Sequence, residues 1–154
     1  MPSSNATLFR QLTRAVFAAH SSILRYGDRA NAPFGQSSAR WRVMFNIAQG
    51  NGSVSEIARA TSYTRQSIQR LADNLVAEGL ATYAPDPDDR RKQTITLTDE
   101  GNTLLHEMES DFDRWSKRLV KKLGKANITQ TIEHLHELKR VLDTDAEHFD
   151  DQTD

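Results

Sequence analysis

Cysteine is absent from the 154-residue chain, which removes disulfide frameworks, thiolate nucleophiles, Cys-based zinc sites and thiol redox sensing together. Long apolar runs are missing too: no uncharged stretch approaches the ~18 residues of a membrane span. The start, Met1-Pro2-Ser3-Ser4-Asn5, lacks the basic and apolar regions of a secretory signal, so the expectation is a soluble, cytoplasmic chain with no membrane partner. No HExxH, no GxSxG and no phosphate-cradling glycine loop occurs. His134 and His136 are two apart, and a helix would point them to nearly opposite sides, away from a shared metal. His106 beside Glu107 reads as helix surface rather than an acid–base pair. No enzyme, cofactor or metal is therefore expected.

What is present is charge and helical pattern. Hydrophobic residues make up 37% of the chain and charged residues 27%, a balance that predicts helices with wide solvated faces. The net charge of -1 hides an uneven distribution. Residues 1–50 carry six Arg against one Asp, residues 53–98 are balanced, and residues 99–154 carry eight bases against fourteen acids. Six of those acids fall between Asp143 and Asp154 without a Lys or Arg, which reads as a solvated helix end. A local basic surface, not the global balance, decides affinity for nucleic acid.

Leu8, Leu12, Val16, Ala19 and Ile23 recur at helical spacing beside Phe9, Phe17 and Leu24, predicting a long first helix that stops near Gly27. A loop, Asn31 to Gly35, precedes a second helix capped by Ser37 and running to about Gln49, with Trp41, Met44, Phe45, Ile47 and Ala48 as its buried side. Ser53-Val54-Ser55-Glu56 fits a capping box for a short third helix. Thr64 is the expected N-cap of a fourth, with Tyr63 and Ile68 at hydrophobic-staple positions. That helix runs to about Glu78, where Gly79 breaks it. Two β-prone runs follow, Leu80–Ala84 and Thr94–Thr98, the second alternating Ile95 and Leu97 with threonines. Leu104, Met108, Phe112, Trp115, Leu119 and Leu123 predict a long helix after Thr98. Gly124 to Asn127 breaks it, and Ile128, Ile132, Leu135, Leu138 and Leu142 mark a last helix. Trp41 and Trp115 lie on apolar stripes and are expected as core or interface anchors.

This order predicts a mainly α chain with a small β-hairpin wing, a winged helix-turn-helix lobe joined to a helical dimerisation region. On the fourth helix Ile68, Leu71, Ala72, Leu75 and Val76 share one side. Gln66, Gln69, Arg70 and Asp73 face away from it. Gln and Arg make bidentate bonds to adenine and guanine edges in a major groove, and a recognition helix presents its N-terminal half to bases. From Ile57 to Ala72 there are three Arg and no acid. Candidate DNA contacts on this helix are Thr64, Arg65, Gln66, Ser67, Gln69 and Arg70. Between the strands, Arg90, Arg91 and Lys92 can reach a minor groove, whose narrow stretches attract Arg. Asp89 can hold one guanidinium in place. The alternative is a winged-helix module for protein–protein contact whose basic residues bind an acidic partner. Base-reading side chains on the fourth helix argue against it.

Glu78-Gly79-Leu80, then Asp86-Pro87-Asp88-Asp89-Arg90-Arg91-Lys92, then Leu97-Thr98-Asp99-Glu100-Gly101 resemble the MarR family of bacterial transcriptional regulators. The stretch from Ser38 to Met44 resembles the start of that family's second helix. The resemblance covers roughly residues 7–148 and is sharpest over 53–101. It implies a single domain over residues 1–154, with a DNA-binding lobe at 37–98 and dimerisation helices at 7–27 and 99–148. It further implies a homodimer on a pseudo-palindromic double-stranded operator, usually a repressor and often released by a small ligand. In the family pattern Arg91 enters the minor groove and Asp89 orients it. Tyr83 departs from that pattern, because members often carry a basic residue there. The lack of Cys excludes the thiol-dependent, peroxide-sensing branch. The resemblance also implies a crevice for small aromatic, often anionic, effectors, expected here between the first and second helices. His20, set among Phe9, Phe17 and Leu24, and Arg40, beside Val43 and Ile47, are its candidate polar anchors.

Overall fold

A computed structural model describes residues 4–85 and 93–150, with side chains through residue 146. The chain forms two compact units, Met1–Asp111 and Phe112–Asp154. Among the described residues the elements are α1 (Asn5–Asn31), a 3-10 turn (Ala32–Phe34), α2 (Ser38–Ala48), α3 (Val54–Thr61), α4 (Arg65–Ala77), β1 (Ala81–Pro85), β2 (Gln93–Leu97), α5 (Asp99–Leu123) and α6 (Lys125–Asp150). The fold is mainly helical with one antiparallel strand pair, as the sequence predicts.

α1 does not stop at Gly27. It continues to Asn31 because Gly27 serves a close approach rather than a break. A Cβ there would lie 2.2 Å from the Ser38 hydroxyl, which instead donates to the Leu24 carbonyl at 3.2 Å. The Asp28 carboxylate accepts from the Ser38 N–H at 2.8 Å, placing an anion at the N-terminus of α2, where the helix dipole favours it. Ser37 caps α2 through the Arg40 N–H. Ala48, expected on the buried side, is exposed, whereas Val43, outside that expected set, is fully buried. Burial follows Val43, Met44 and Ile47, since α3, α4 and β2 all pack against this helix.

The capping box is complete: Ser53 accepts from the Glu56 N–H at 3.2 Å and the Glu56 carboxylate accepts from the Ser53 N–H at 2.9 Å. Ser62 then takes a left-handed conformation, φ 59°, which turns the chain sharply into α4. Thr64 caps α4 by accepting from the Ser67 N–H at 3.1 Å. The lobe core is Met44, Ile57, Ile68, Leu75 and Ile95 with their neighbours, all essentially without solvent contact.

The strands begin and end one residue from the predicted bounds, with Ala81 opposite Leu97 and Tyr83 opposite Ile95. The switch from β2 into α5 explains the Leu97-Thr98-Asp99-Glu100-Gly101 sequence. The Thr98 hydroxyl donates to the Gly79 carbonyl at 2.7 Å and accepts from the Gly101 N–H at 3.1 Å. A Cβ on Gly101 would fall 1.9 Å from the Leu80 carbonyl oxygen, so only glycine lets the first turn of α5 lie against that backbone.

In the second unit, Phe112 and Trp115 meet edge to face at 4.5 Å. Gly124 alone, at φ 84°, separates α5 from α6. The expected break through Asn127 is shorter because Lys125 already begins the next helix. Ile132, Leu135, Val141 and Leu142 remain 45–48% exposed on α6. Among the described residues no helix is long and apolar enough to cross a membrane.

Candidate nucleic-acid interface

The Thr64 cap and packing on the lobe core hold α4 with Ile68, Ala72 and Leu75 inward. Helical geometry then turns Arg65, Gln66, Gln69, Arg70 and Asp73 outward, and all five are exposed. Thr64 and Ser67 stand at the same end, but their hydroxyls bond each other at 2.9 Å as part of the cap. Asp89, Arg90, Arg91 and Lys92 lie outside the described residues.

Three polar side chains meet beside this face. The Tyr83 hydroxyl, on β1, donates to Asp73 Oδ1 at 2.9 Å. Gln69 Nε2 donates to the same carboxylate oxygen at 2.9 Å and to the Tyr83 hydroxyl at 2.9 Å. Burial first, and then the hydrogen bond to the Asp73 carboxylate, push the Tyr83 hydroxyl up to about 12. It therefore stays a proton donor at neutral pH. At the position where Tyr83 departs from the family pattern, its side chain thus bonds the hairpin to α4. Sequence reasoning missed it because residues 73 and 83 are joined only across the turn at Gly79. The available signal was an acid on a face otherwise made of Gln and Arg.

Two arginines brace the same lobe from α2. Arg42 donates to the Thr61 carbonyl at 3.1 Å and lies 5.1 Å from the centre of the Tyr63 ring, tying α2 to the turn before α4. Arg40, expected as an effector anchor, donates Nη1 to Glu78 Oε1 at 2.7 Å and Nη2 to Oε2. That fork joins the start of α2 to the end of α4 and lowers the Glu78 carboxyl below its ordinary range, chiefly through the hydrogen bond from Arg40. His20 is exposed on α1. The contacts of Arg40 run to Glu78 rather than to His20. Among the described residues no cluster of side chains could hold a metal.

A tight turn between two helices, a second helix with its outer half in Arg and Gln, and a hairpin bonded to that helix define a winged helix-turn-helix protein. Residues 34–92 match the model of the MarR family. The chain is 28% identical over 128 residues to an uncharacterised protein of Mycobacterium tuberculosis, covering 83% of this chain and 90% of that one. It is 30% identical over 96 residues to the HTH-type transcriptional repressor NicR of Pseudomonas putida, covering 62% of this chain and 59% of NicR. Its fold is similar to that of the repressor CouR of Rhodococcus jostii bound to a 23-mer DNA duplex, with a TM-score of 0.77 at 23% identity over 90% of this chain and 99% of CouR.

Proposed function

We propose that the chain is a homodimeric, cytoplasmic transcriptional repressor that binds a pseudo-palindromic operator and is released by a small aromatic ligand. The observation that carries this reading is the exposed N-terminal half of α4, where Arg65, Gln66, Gln69 and Arg70 stand outward on a capped helix. In this reading α4 enters a major groove, with Thr64 and Ser67 near the backbone. Asp89, Arg90, Arg91 and Lys92 supply the minor-groove contact. Residues 37–98 form the DNA-binding lobe, and residues 7–27 and 99–148 form the dimer contacts. Support for the dimer comes from apolar residues left uncovered on α1 and, separately, on α6. A CouR structure holding p-coumaroyl-CoA supports an aromatic ligand, for which His20 and Arg40 are the proposed anchors. A carboxylate reaching Arg40 must displace Glu78, and so would release one link between α2 and α4.

Gel shifts on DNA from upstream of the protein's own gene, at rising salt, test the first part. Gln66→Ala and Arg70→Ala should each relax preference at particular base pairs by ~1–3 kcal/mol. Arg91→Ala should weaken binding to every duplex with a narrow minor groove. Unchanged affinity and footprint in all three variants would refute the interface. Thermal shifts with salicylate-like acids test the second part, and hits that bind equally well to His20→Ala and Arg40→Ala place the ligand elsewhere.

A further inference from the structure

Gln69 is expected to read bases, yet its side chain is already engaged. Asp73 is a carboxylate and can only accept, so the nitrogen end of the Gln69 amide must face it. The single hydroxyl proton of Tyr83 goes to Asp73, so the Tyr83 oxygen is left to accept the other amide hydrogen of Gln69. Turning the amide over would set Oε1 against the carboxylate and orphan both hydrogens. The orientation is therefore dictated by the chemistry of the three groups. Both N–H bonds of Gln69 are consumed, while Oε1 has no partner among the described residues.

We infer that Gln69 is a specificity residue that acts only as a hydrogen-bond acceptor, selecting a base that carries an exocyclic amine, adenine or cytosine, over guanine or thymine. A glutamine with its amide free grips adenine at two points, accepting from N6 and donating to N7. Here the second point is withheld, because Asp73 and Tyr83 hold the donor. The major-groove edges of adenine and cytosine each offer an amine, at N6 and N4, whereas guanine and thymine present oxygen there. Two keto oxygens facing each other repel, which supplies rejection as well as preference. Tyr83 and Asp73 are positioning residues in this arrangement. The inference rests on α4 reading a major groove.

The full chain is first selected against a pool of random duplexes, and the position that loses its preference in Gln69→Ala is assigned to Gln69. At that position the wild-type protein should accept adenine and cytosine alike. Placing 7-deazaadenine there, which lacks the N7 acceptor, should leave affinity within about twofold of adenine. Purine lacking the N6 amine should bind roughly fivefold or more weakly. Tyr83→Phe frees one amide hydrogen, so it should narrow the preference to adenine and make 7-deazaadenine the poorer ligand. A wild-type protein that strictly prefers adenine and loses affinity with 7-deazaadenine overturns the inference, as does Gln69→Ala leaving every position unchanged. Failure of the wild-type protein to enrich any sequence overturns the groove-reading of α4 itself, a distinct result.

Discussion

In the lobe, Met44, Ile57, Ile68 and Leu75 are removed from solvent entirely. α1, about twice as long as α4, contains no buried residue and leaves Phe17 and Ile23 at 70% and 69% exposure. Both regions carry an apolar row at helical spacing, so the pattern alone does not separate them. The difference lies in neighbours. α2, α3, α4 and β2 cover one another, because short caps and turns at Ser53, Ser62 and Thr64 bring their apolar sides together within a few residues. Among the described residues, the outer rows of α1 and α6 have no such cover within their own units. A stripe of that kind is stable in water only when a second surface meets it.

The largest expected effect breaks the uncovered side of this contrast. Wild-type protein should sediment as a dimer at micromolar concentration, with a melting temperature that rises with concentration. Replacing Ile132 and Leu135 by Asp should weaken self-association by about a hundredfold or more, since a charge buried in an apolar interface costs several kcal/mol. A folded wild-type monomer of 17.4 kDa would overturn the contrast.

Leu75→Ala in the lobe core should cost about 2–5 kcal/mol, read by denaturant unfolding of the dimer. The same change at Phe17, on the exposed row, should act mainly through dimer dissociation.

Gly101→Ala should cost about 1–3 kcal/mol, because its Cβ must push the Leu80 carbonyl aside. Gly124→Ala tests φ strain instead, as no backbone atom crowds that site.

Two pH tests sharpen the contacts that hold α4. Tyr83 favours its neutral form in the fold, so its contribution is fully present below pH 10 and lost as pH rises towards about 12. An absorbance titration should show a late-ionising tyrosine phase, and Tyr83→Phe should remove it.

The smallest effect belongs to Glu78. Its carboxyl is lowered by the hydrogen bond from Arg40, so the stabilisation is present above its ordinary value near 4.5 and fades as pH falls through the lowered one. Because the Glu78 carboxylate is half-exposed, the pair should contribute under about 1 kcal/mol. Glu78→Gln should flatten that part of the acid-stability curve.

The lobe was legible from the chain because its signals are local. The Ser53–Glu56 box, the Thr64 cap and Gly79 each act over a few residues, and the alternation around Ile95 needs only its own strand. The outward face of α4 followed from 100° per residue. Gly27 shows where such reasoning fails: its lack of a Cβ looks like a helix end until Ser38 is seen beside it.

The amino-acid sequence by itself determined the helices, the hairpin and the residues turned outward on α4, since capping, periodicity and turn chemistry are near-neighbour effects. Only the tertiary structure decided that Tyr83 and Asp73 consume the amide hydrogens of Gln69, that Arg40 is committed to Glu78, and that Val43 rather than Ala48 is buried. The Gln69–Tyr83 and Arg40–Glu78 bonds join groups 14 and 38 residues apart, and α2, which carries Val43, packs against α3, α4 and β2, so no local rule carries those distances.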